Sequence, residues 1–271
     1  MSTVSYAVTD TATMLRRTLR HMRRYPSLTI MLIGMPIVIL LVFVYVFGGA
    51  IGNGIGGSGL GGGLAGAGGR GAYVNYVVPG IIGIAVASAV QGTAISVAMD
   101  MTEGIMNRFR TMAIYRASVL TGHVIGSMIQ TLLSIVVVLG VALAVGFRPN
   151  ATVVEWIAAI GILALFTLAL TWLAVALGMK AKSVETASNT PMFLILLPFL
   201  GSGFVPTDSM PAVLRWFAQY QPFTPVMETL RGLLLGGPIG NNAVIAAAWG
   251  VLITAFGYVV SKRLFTRDPR P

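Results

Sequence analysis

Long apolar runs alternate with short polar segments along most of this chain. A helix needs roughly 20 consecutive apolar residues to cross the hydrocarbon core of a bilayer. Six runs come near that length or exceed it, at Leu28–Phe47, Tyr73–Met99, Ser118–Phe147, Trp156–Met179, Thr190–Val205 and Ala243–Val260. The pattern predicts an all-α integral membrane protein whose six transmembrane helices form one domain over residues 1–271.

The fifth run is the shortest and contains Pro191 and Pro198. Proline removes a backbone hydrogen bond, and a membrane helix tolerates it where neighbouring groups satisfy the freed carbonyls. We therefore predict a kinked fifth helix that is buried in the bundle.

The composition agrees with lipid as the main solvent. Of the 271 residues, 56% are hydrophobic and 10% are charged, and the mean hydropathy is +0.85. A soluble domain carries charge on about a quarter of its residues, so this chain could not cover a surface that faces water. Cysteine is absent, which excludes disulfides and thiolate metal sites. The two histidines, His21 and His123, lie far apart in sequence and argue against a metal centre.

The basic residues are distributed unevenly among the segments that connect the runs. Fourteen of the 18 Lys and Arg residues lie before the first run, between the second and third, between the fourth and fifth, and after the sixth. The other four are Arg70, Arg148, Arg215 and Arg231. Basic residues mark the cytoplasmic side of a membrane protein, so both termini are predicted to be cytoplasmic. This asymmetry explains the net charge of +10 without any nucleic-acid partner.

Residues 1–26 precede the first run and carry five arginines. Leu15, Leu19 and Met22 are spaced to share one helix face, and arginines fill much of the remainder. This pattern predicts a basic amphipathic helix on the cytoplasmic leaflet, with a solvated basic tail as the alternative. A cleaved signal peptide is disfavoured because the basic region is too long and no convincing cleavage site follows.

Residues 48–72 connect the first two runs on the predicted outer side. Gly48–Gly71 contains 14 glycines in 24 residues, a composition that predicts a flexible loop without regular structure. These glycines neither follow a strand nor open a helix, so they do not form a phosphate-binding turn.

Residues 206–238, on the same predicted side, favour two short helices. Asp208 or Ser209 is suited to cap the first helix, with Pro211 in its first turn. Thr224 is suited to cap the second, with Pro225 at its first position.

Other residues of this stretch complete the prediction of an outer re-entrant or interfacial hairpin. Gln221–Pro222 joins the two helices, and Gly232 or Gly236 ends the second. Glu228 and Arg231 are spaced to pair on one helix face. Three aromatic residues lie where an interface belt is expected, and they are Trp216, Tyr220 and Phe223.

The runs contain no Asp, Glu, Lys or Arg within the limits given above, and His123 is the only readily titratable group near the membrane. Ion-coupled carriers need ionisable groups there, so a secondary transporter is disfavoured. The sequence also lacks the phosphate-loop motif GxxxxGK(S/T) and any catalytic constellation. The chain is therefore predicted not to be an enzyme. If it transports, its energy must come from a separate polypeptide on the cytoplasmic side.

The charged segment 100–117, DMTEGIMNRFRTMAIYRA, separates two of the longest runs. Asp100 and Glu103 lie at its N-terminal end, where a helix dipole favours acidic side chains. Its apolar residues share one sector of a helical wheel, and they are Ile105, Met106, Phe109, Met112 and Ala113. The pattern predicts a short amphipathic helix in a cytoplasmic loop, which is either a docking surface for a partner or a plain interfacial linker.

Two segments resemble the signatures of a known family. EGIMNRFRTMAIYRASVLTGHVIG is similar to the coupling-helix segment after the second span of ABC type-2 exporter permeases. GFVPTDSMPAVLRWFAQYQPFTPVMETLRGLLLGGP resembles the second signature of that family, before the last span. The similarity is closest to the daunorubicin/doxorubicin-resistance permease branch. With six spans and both termini inside, the resemblance covers essentially the whole chain.

The resemblance implies structural and transmission roles, not catalytic ones, for two sets of residues. The coupling element would contain Glu103, Gly104, Arg108, Phe109 and Arg110. The outer re-entrant hairpin would contain Pro206, Met210, Pro211, Pro222, Pro225 and Arg231. No substrate-binding residue is implied.

The resemblance also implies partners and a location. Two cytoplasmic ATP-binding subunits would hold ATP and Mg, while this chain binds no cofactor or metal, and a second permease, identical or paralogous, would complete the complex. The chain would lie in lipid as a multi-pass protein of the bacterial cytoplasmic membrane. The expected function is ATP-driven export of a hydrophobic or amphiphilic compound such as a drug, a polyketide or a lipid. Export of a polysaccharide or lipid-linked glycan, and a scaffold subunit without transport, are the alternatives.

Overall fold

The computed structural model describes residues 26–48, 70–102 and 116–267, and these ranges contain helices, turns and short irregular connections without a strand. The α-helices of these ranges are α1 Pro26–Val42, α2 Arg70–Thr102, α3 Arg116–Val145, α4 Val153–Lys180, α5 Val184–Asn189, α6 Met192–Leu196, α7 Ala212–Tyr220, α8 Phe223–Leu235 and α9 Asn242–Arg267. A π-helical turn, Phe43–Phe47, extends α1, and a 3-10 turn, Thr207–Ser209, precedes α7. The prediction of an all-α protein is confirmed.

Four stretches of these helices are long and apolar enough to cross a membrane, and they are Gly71–Thr102, Leu120–Val145, Val153–Lys180 and Asn242–Phe265. Leu32–Phe47 is a shorter apolar helix. These five match the first, second, third, fourth and sixth predicted runs within a few residues. The agreement follows from apolar length, which is enough to identify a helix of this kind.

The fifth predicted run does not form one helix. α5 and α6 occupy residues 184–196, and turns continue through Phe204. The prolines within it cannot donate to a helical hydrogen-bond ladder, so the backbone divides into short pieces. Leu194 is buried, but Met192 and Phe193 beside it are more than half exposed. The prediction of one kinked helix buried in the bundle is therefore corrected. Residues 190–204, which we call the broken segment, contain only the short helix α6 and turns, and one face of this segment is exposed.

α2 lies at the centre of the bundle and supplies much of its core. Buried side chains such as Tyr73, Val77 and Ile81 pack with residues of α1, α4 and α8. Lipid tails are as apolar as these side chains, so close van der Waals packing rather than exclusion of water stabilises such contacts.

α3 and α9 are peripheral, and many of their apolar side chains face outward. Val136 of α3 and Phe256 of α9 are both more than 60% exposed. Exposed apolar side chains of this kind are expected where helices contact lipid. α9 is held against α4 at Gly257, where a Cβ would lie 2.8 Å from the backbone nitrogen of Leu173. Small residues at such crossings allow membrane helices to approach closely.

Candidate functional site at the helical hairpin

α7 and α8 are the two short helices predicted within residues 206–238, and Gln221 and Pro222 join them. Gly236 ends α8 in the left-handed region with φ of 76°, which is one of the two predicted stop positions. Glycine adopts this conformation without a steric penalty. We call the end of the bundle that holds α7 and α8 the hairpin end. We call the end where α2 stops and α3 starts the loop end.

The prediction that Thr224 caps the second helix is wrong. Pro222 occupies the N-cap position of α8 without a side-chain hydrogen bond, and Pro225 lies in its first turn rather than at its first position. Proline fits this turn because the first N–H groups of a helix have no intrahelical acceptor. Thr224 is thereby free of a capping role, and its buried hydroxyl contacts another element.

The predicted caps of the first helix, Asp208 and Ser209, are also wrong. Pro211 occupies the N-cap position of α7, and Asp208 and Ser209 belong to the separate 3-10 turn that follows Pro206. Arg215 fastens this turn to α7, since its Nη2 donates to the carbonyl oxygens of Asp208 at 2.6 Å and Met210 at 3.1 Å. This local contact holds the 3-10 turn against α7, whose N-terminal end has no side-chain cap.

The predicted aromatic belt divides between surface and core. Trp216 and Tyr220 are 68% and 57% exposed, whereas Phe223 is fully buried. Phe223 packs edge-on against Phe166 of α4, with ring centroids 5.0 Å apart. The indole nitrogen of Trp249 in α9 donates to the Tyr220 carbonyl at 3.2 Å. The hairpin is thus attached to two long helices, and its exposed aromatic face is limited to α7.

A buried polar contact joins the hairpin to the broken fifth segment. Gln221 Nε2 donates to the carbonyl of Leu197 at 2.7 Å and to Thr224 Oγ1 at 3.2 Å. The backbone nitrogen of Ser202 donates to the same Thr224 hydroxyl at 3.4 Å. Backbone groups released by a broken helix must find such partners at membrane depth. The side chains of the hairpin therefore stabilise the irregular backbone of residues 197–204.

Arg231 of α8 is the centre of this site. It pairs with Glu228 at 2.5 Å, as the spacing of these residues predicts. Its Nη2 also donates to the carbonyl of Ser202 at 2.8 Å and to that of Tyr76 in α2 at 3.1 Å. The guanidinium carbon lies 4.0 Å from the centroid of the Tyr76 ring, within range of a cation–π interaction. One planar cation thus connects α8, α2 and the broken segment.

Two glycines bring α2 and the broken segment into backbone contact beside Arg231. A Cβ on Gly80 would lie 2.5 Å from the carbonyl oxygen of Gly203. No side chain fits at that distance, so this crossing requires glycine. The polar contacts of Arg231 and the glycine crossing hold the same two elements together.

The polar cluster is only partly satisfied. Among the described residues, four of its buried polar atoms have no hydrogen-bond partner, and they are Tyr76 Oη, Ser202 Oγ, Gln221 Oε1 and Arg231 Nε. A partly satisfied buried network costs stability relative to an apolar core. Its presence at a junction of three elements therefore indicates a role in positioning.

The predicted coupling residues lie outside the described part of the chain, so their assignment stays a prediction; they are Glu103, Gly104, Arg108, Phe109 and Arg110. The predicted N-terminal interface helix (residues 1–26) and most of the glycine-rich loop (48–72) also lie outside it. The helices that flank the coupling segment are described, and they show a contact that sequence reasoning missed.

Asp100 belongs to α2 and not, as predicted, to the N-terminal end of a helix in the loop. It is buried, and its Oδ2 lies 2.9 Å from Nε2 of His123 in α3. The second predicted run ended at Met99 because Asp100, the next residue, carries a carboxylate. The available signal was periodicity, because Asp100 continues the helix face that buries Val90 and Val97.

Sequence reasoning paired Arg231 with Glu228 but missed its other partners and the separate contacts of Gln221 and Thr224. Gln221 and Thr224 are polar residues between prolines, which is a weak signal, and nothing in the sequence marks the carbonyl groups of Tyr76 or Ser202. The resulting arrangement positions helices and carries no reactive constellation. In the described ranges, no group of three or more His, Cys, Asp or Glu side chains could hold a metal ion.

Comparisons with known proteins identify the kind of chain in which this hairpin occurs. The family model described as "ABC-2 type transporter" matches residues 9–235. A daunorubicin resistance ABC transporter permease protein, DrrB1 of Streptomyces coeruleorubidus, is 26% identical over 231 residues, which cover 85% of this chain and 76% of that protein. A probable doxorubicin resistance ABC transporter permease protein, DrrC of Mycobacterium tuberculosis (strains CDC 1551 / Oshkosh and ATCC 25618 / H37Rv), is 23% identical over 169 residues, 61% of each chain.

Proposed function

This chain belongs to the ABC-2 type transporter family, and we propose that, as the membrane permease of an ABC exporter, it moves a hydrophobic or amphiphilic compound out of the cell. A drug, a polyketide or a lipid would fit. The observation that carries this proposal is the similarity to permeases named for resistance to daunorubicin and doxorubicin, which extends over 85% of this chain for the first of them.

The surfaces of the described helices favour an apolar substrate. The open face of the broken fifth segment presents Phe193, Leu196 and Phe199, all of them exposed. The polar groups of Arg231 and Gln221 point instead into contacts between helices. A strongly hydrated glycan would lose hydrogen bonds to water along such walls without replacement. This contrast supports an amphiphile over the polysaccharide alternative.

The energy for export would come from a separate subunit. The sequence contains no phosphate loop, so in this proposal two cytoplasmic ATP-binding subunits hold ATP and Mg, and a second permease, identical or paralogous, completes the complex. We place the loop end and both termini in the cytoplasm because the basic residues cluster in those segments. The hairpin end then faces outward, across a bacterial cytoplasmic membrane.

α2 supplies a mechanical link between these two ends. It is one continuous helix of 33 residues, and at 1.5 Å per residue it is about 50 Å long. Its C-terminal end adjoins the predicted coupling segment, and its N-terminal part carries Tyr76 and Gly80, which contact Arg231 and the broken segment. A displacement of the loop end would therefore reach the hairpin through α2. Arg231 and its partners would set how the broken segment responds.

The test is transport by the purified complex in liposomes. The permease is purified together with the ATP-binding subunit that associates with it, and daunorubicin and doxorubicin serve as probes. We expect these compounds to stimulate ATP hydrolysis and to move across the bilayer only when ATP is hydrolysed. An ATP-binding subunit that cannot hydrolyse ATP is the control.

Different results would contradict different parts of the proposal. Movement of the drug driven by a pH or sodium gradient without ATP would indicate a secondary transporter. Stimulation by lipid-linked glycans alone would favour the glycan alternative, and an assembled complex that transports no amphiphile would favour a scaffold. If Glu103→Ala and Arg108→Ala change neither assembly nor stimulation, the assignment of the coupling segment is wrong.

A further inference from the structure

A buried polar contact between an acidic and a basic side chain joins α2 and α3 at the loop end. Asp100 lies in the last turn of α2, and His123 lies in the second turn of α3. Both residues are only 8% exposed, and Nε2 and Oδ2 are 2.9 Å apart. At this distance the two side chains are within hydrogen-bonding range.

The position of Asp100 is unfavourable within its own helix. The C-terminal end of a helix carries partial negative charge, which disfavours a carboxylate there. Burial removes solvating water from both side chains, and a buried ionic pair rarely adds net stability over apolar residues of similar size. Such a pair does fix the relative position of the two helices, because a hydrogen bond restricts the separation and orientation of the two groups more narrowly than apolar packing does.

The Asp100–His123 pair lies close to the ends of both helices and beside an apolar cluster. A separate apolar cluster lies beside it, formed by Val97 of α2, Leu120 and Val124 of α3, and side chains of α4 and α9. One turn beyond Val97, α2 ends at Thr102, and the chain returns at Arg116 as α3. The segment 103–115 connects these two ends, and the Asp100–His123 pair joins them in space.

We propose that Asp100 and His123 are positioning residues that clamp the ends of α2 and α3, so that a displacement of the connecting segment moves both helices as one unit. This inference depends on the proposed function, in which ATP hydrolysis drives that segment. Without the clamp, α2 and α3 respond separately, and less of the motion reaches the hairpin through α2.

The variants separate the hydrogen bond from simple packing. Asp100→Leu combined with His123→Leu removes both members of the contact together, so neither of these two side chains is left facing an apolar replacement of the other. Asp100→Asn keeps an acceptor for His123 and is the conservative rescue. The controls are Thr93→Ala in α2 and Thr131→Ala in α3, two buried threonines whose hydroxyls bond to carbonyls of their own helices at 2.8 Å.

The first measurement is the ratio of drug-stimulated to basal ATP hydrolysis by the assembled complex. We expect the double leucine variant to lower this ratio by about fivefold or more, the lower range of coupling between sites. Asp100→Asn and both controls should keep it within about twofold of the wild-type ratio. A purely structural role would instead change the yield of assembled complex and leave the ratio unaffected.

The second measurement is the distance between spin labels on the two helix ends. Met99 and Ile125 are both 37% exposed, and the chain contains no cysteine that would have to be removed before labelling. We expect one narrow distribution in the nucleotide-free and ATP-trapped complexes of the wild type and of Asp100→Asn. The double leucine variant should broaden it.

The two measurements separate failure of the clamp from failure of the export proposal. If the wild type is stimulated and the double leucine variant matches it in ratio and in distance distribution, the clamp is wrong and the export proposal stands. If no amphiphile stimulates the wild type, the export proposal fails. The distance measurement then decides the clamp alone: an unchanged distribution overturns it, and a broadened one supports it.

Discussion

The hairpin end and the loop end of the bundle both contain a contact between an acidic and a basic side chain, but the contacts have different surroundings. At the hairpin end, Arg231 binds carbonyl groups of a broken segment and of α2, together with Glu228 and the ring of Tyr76. At the loop end, Asp100 and His123 join two regular helices. Irregular backbone in a membrane needs partners for its freed polar groups, whereas a regular helix satisfies its own. We therefore expect Arg231 to stabilise the fold and the Asp100–His123 pair to set its geometry.

Replacement of Arg231 by Met should have the largest effect on stability. It leaves Glu228 and the carbonyl of Ser202 without their cation, and we expect the free energy of unfolding to fall by about 3 kcal/mol. The free energy of unfolding of Arg231→Lys should lie between those of the wild type and Arg231→Met, because lysine keeps the charge but not the planar guanidinium group. Denaturant-induced unfolding in detergent micelles measures the change.

Arg215→Met is the matched control for this variant. Arg215 also donates to two carbonyl groups, but both belong to the turn next to its own helix. We expect a loss of only about 1 kcal/mol, in the range of a typical net hydrogen-bond contribution, because no second element depends on it. Equal losses for the two arginines would show that the connection to α2 and the broken segment is unimportant.

Gly80→Ala should have the next largest effect. Its methyl group would meet the backbone of Gly203 at 2.5 Å, and such overpacking costs about 2 kcal/mol. A Cβ added at Gly140 of α3 would have no atom within 4 Å, so Gly140→Ala should be neutral or stabilising by up to about 1 kcal/mol. Thermal unfolding of both variants checks this contrast. Equal unfolding temperatures for Gly80→Ala and Gly140→Ala would mean that the close contact between α2 and the broken segment does not contribute to stability.

Thr224→Val should have a smaller effect, because it removes the hydroxyl that serves Gln221 and the backbone of Ser202. We expect a loss of about 1–2 kcal/mol from the donors left unpaired. Thr229→Val is the control, since Thr229 is equally buried but bonds to the Pro225 carbonyl of its own helix. A larger loss for Thr229→Val than for Thr224→Val would contradict the assigned role of Thr224.

The double variant with leucine at positions 100 and 123 should change stability least. Replacing both members of a buried pair by apolar residues of similar size is often close to neutral, so we expect a change within about 1 kcal/mol in either direction. The same denaturant titration measures it. A loss as large as that for Arg231→Met would show that the two ends do not differ, and that the Asp100–His123 pair is also a stability element.

The helices were predictable wherever apolar length alone decides the outcome. Five of the six predicted runs agree with helices, but two of them end too early. The sixth stops at Val260, whereas α9 continues to Arg267, and the second stops at Met99, just before the first carboxylate, whereas α2 continues to Thr102. α2 continues because Asp100 finds His123 in α3. A rule based on hydropathy cannot anticipate that partner, since it lies in another helix.

Local signals were less reliable at the hairpin. The two short helices and the stop at Gly236 followed from the sequence, but the caps at Asp208, Ser209 and Thr224 did not. Capping propensity describes an isolated helix end, whereas here Pro211 and Pro222 occupy the N-cap positions, and neither makes a side-chain hydrogen bond. Phe223 is a similar case, because packing against Phe166 removes it from the surface.

The sequence by itself determined the all-helical membrane architecture, most of the helix limits, the site of the hairpin and the Glu228–Arg231 pair, because each follows from apolar length or from spacing within one helix. The tertiary structure alone decided that the fifth run is broken, that Arg231 connects α8 to Tyr76 and Ser202, and that Asp100 meets His123. Those contacts join residues far apart in the chain through backbone carbonyls and buried side chains. Periodicity and composition describe only neighbours along one helix, so they do not specify such partners.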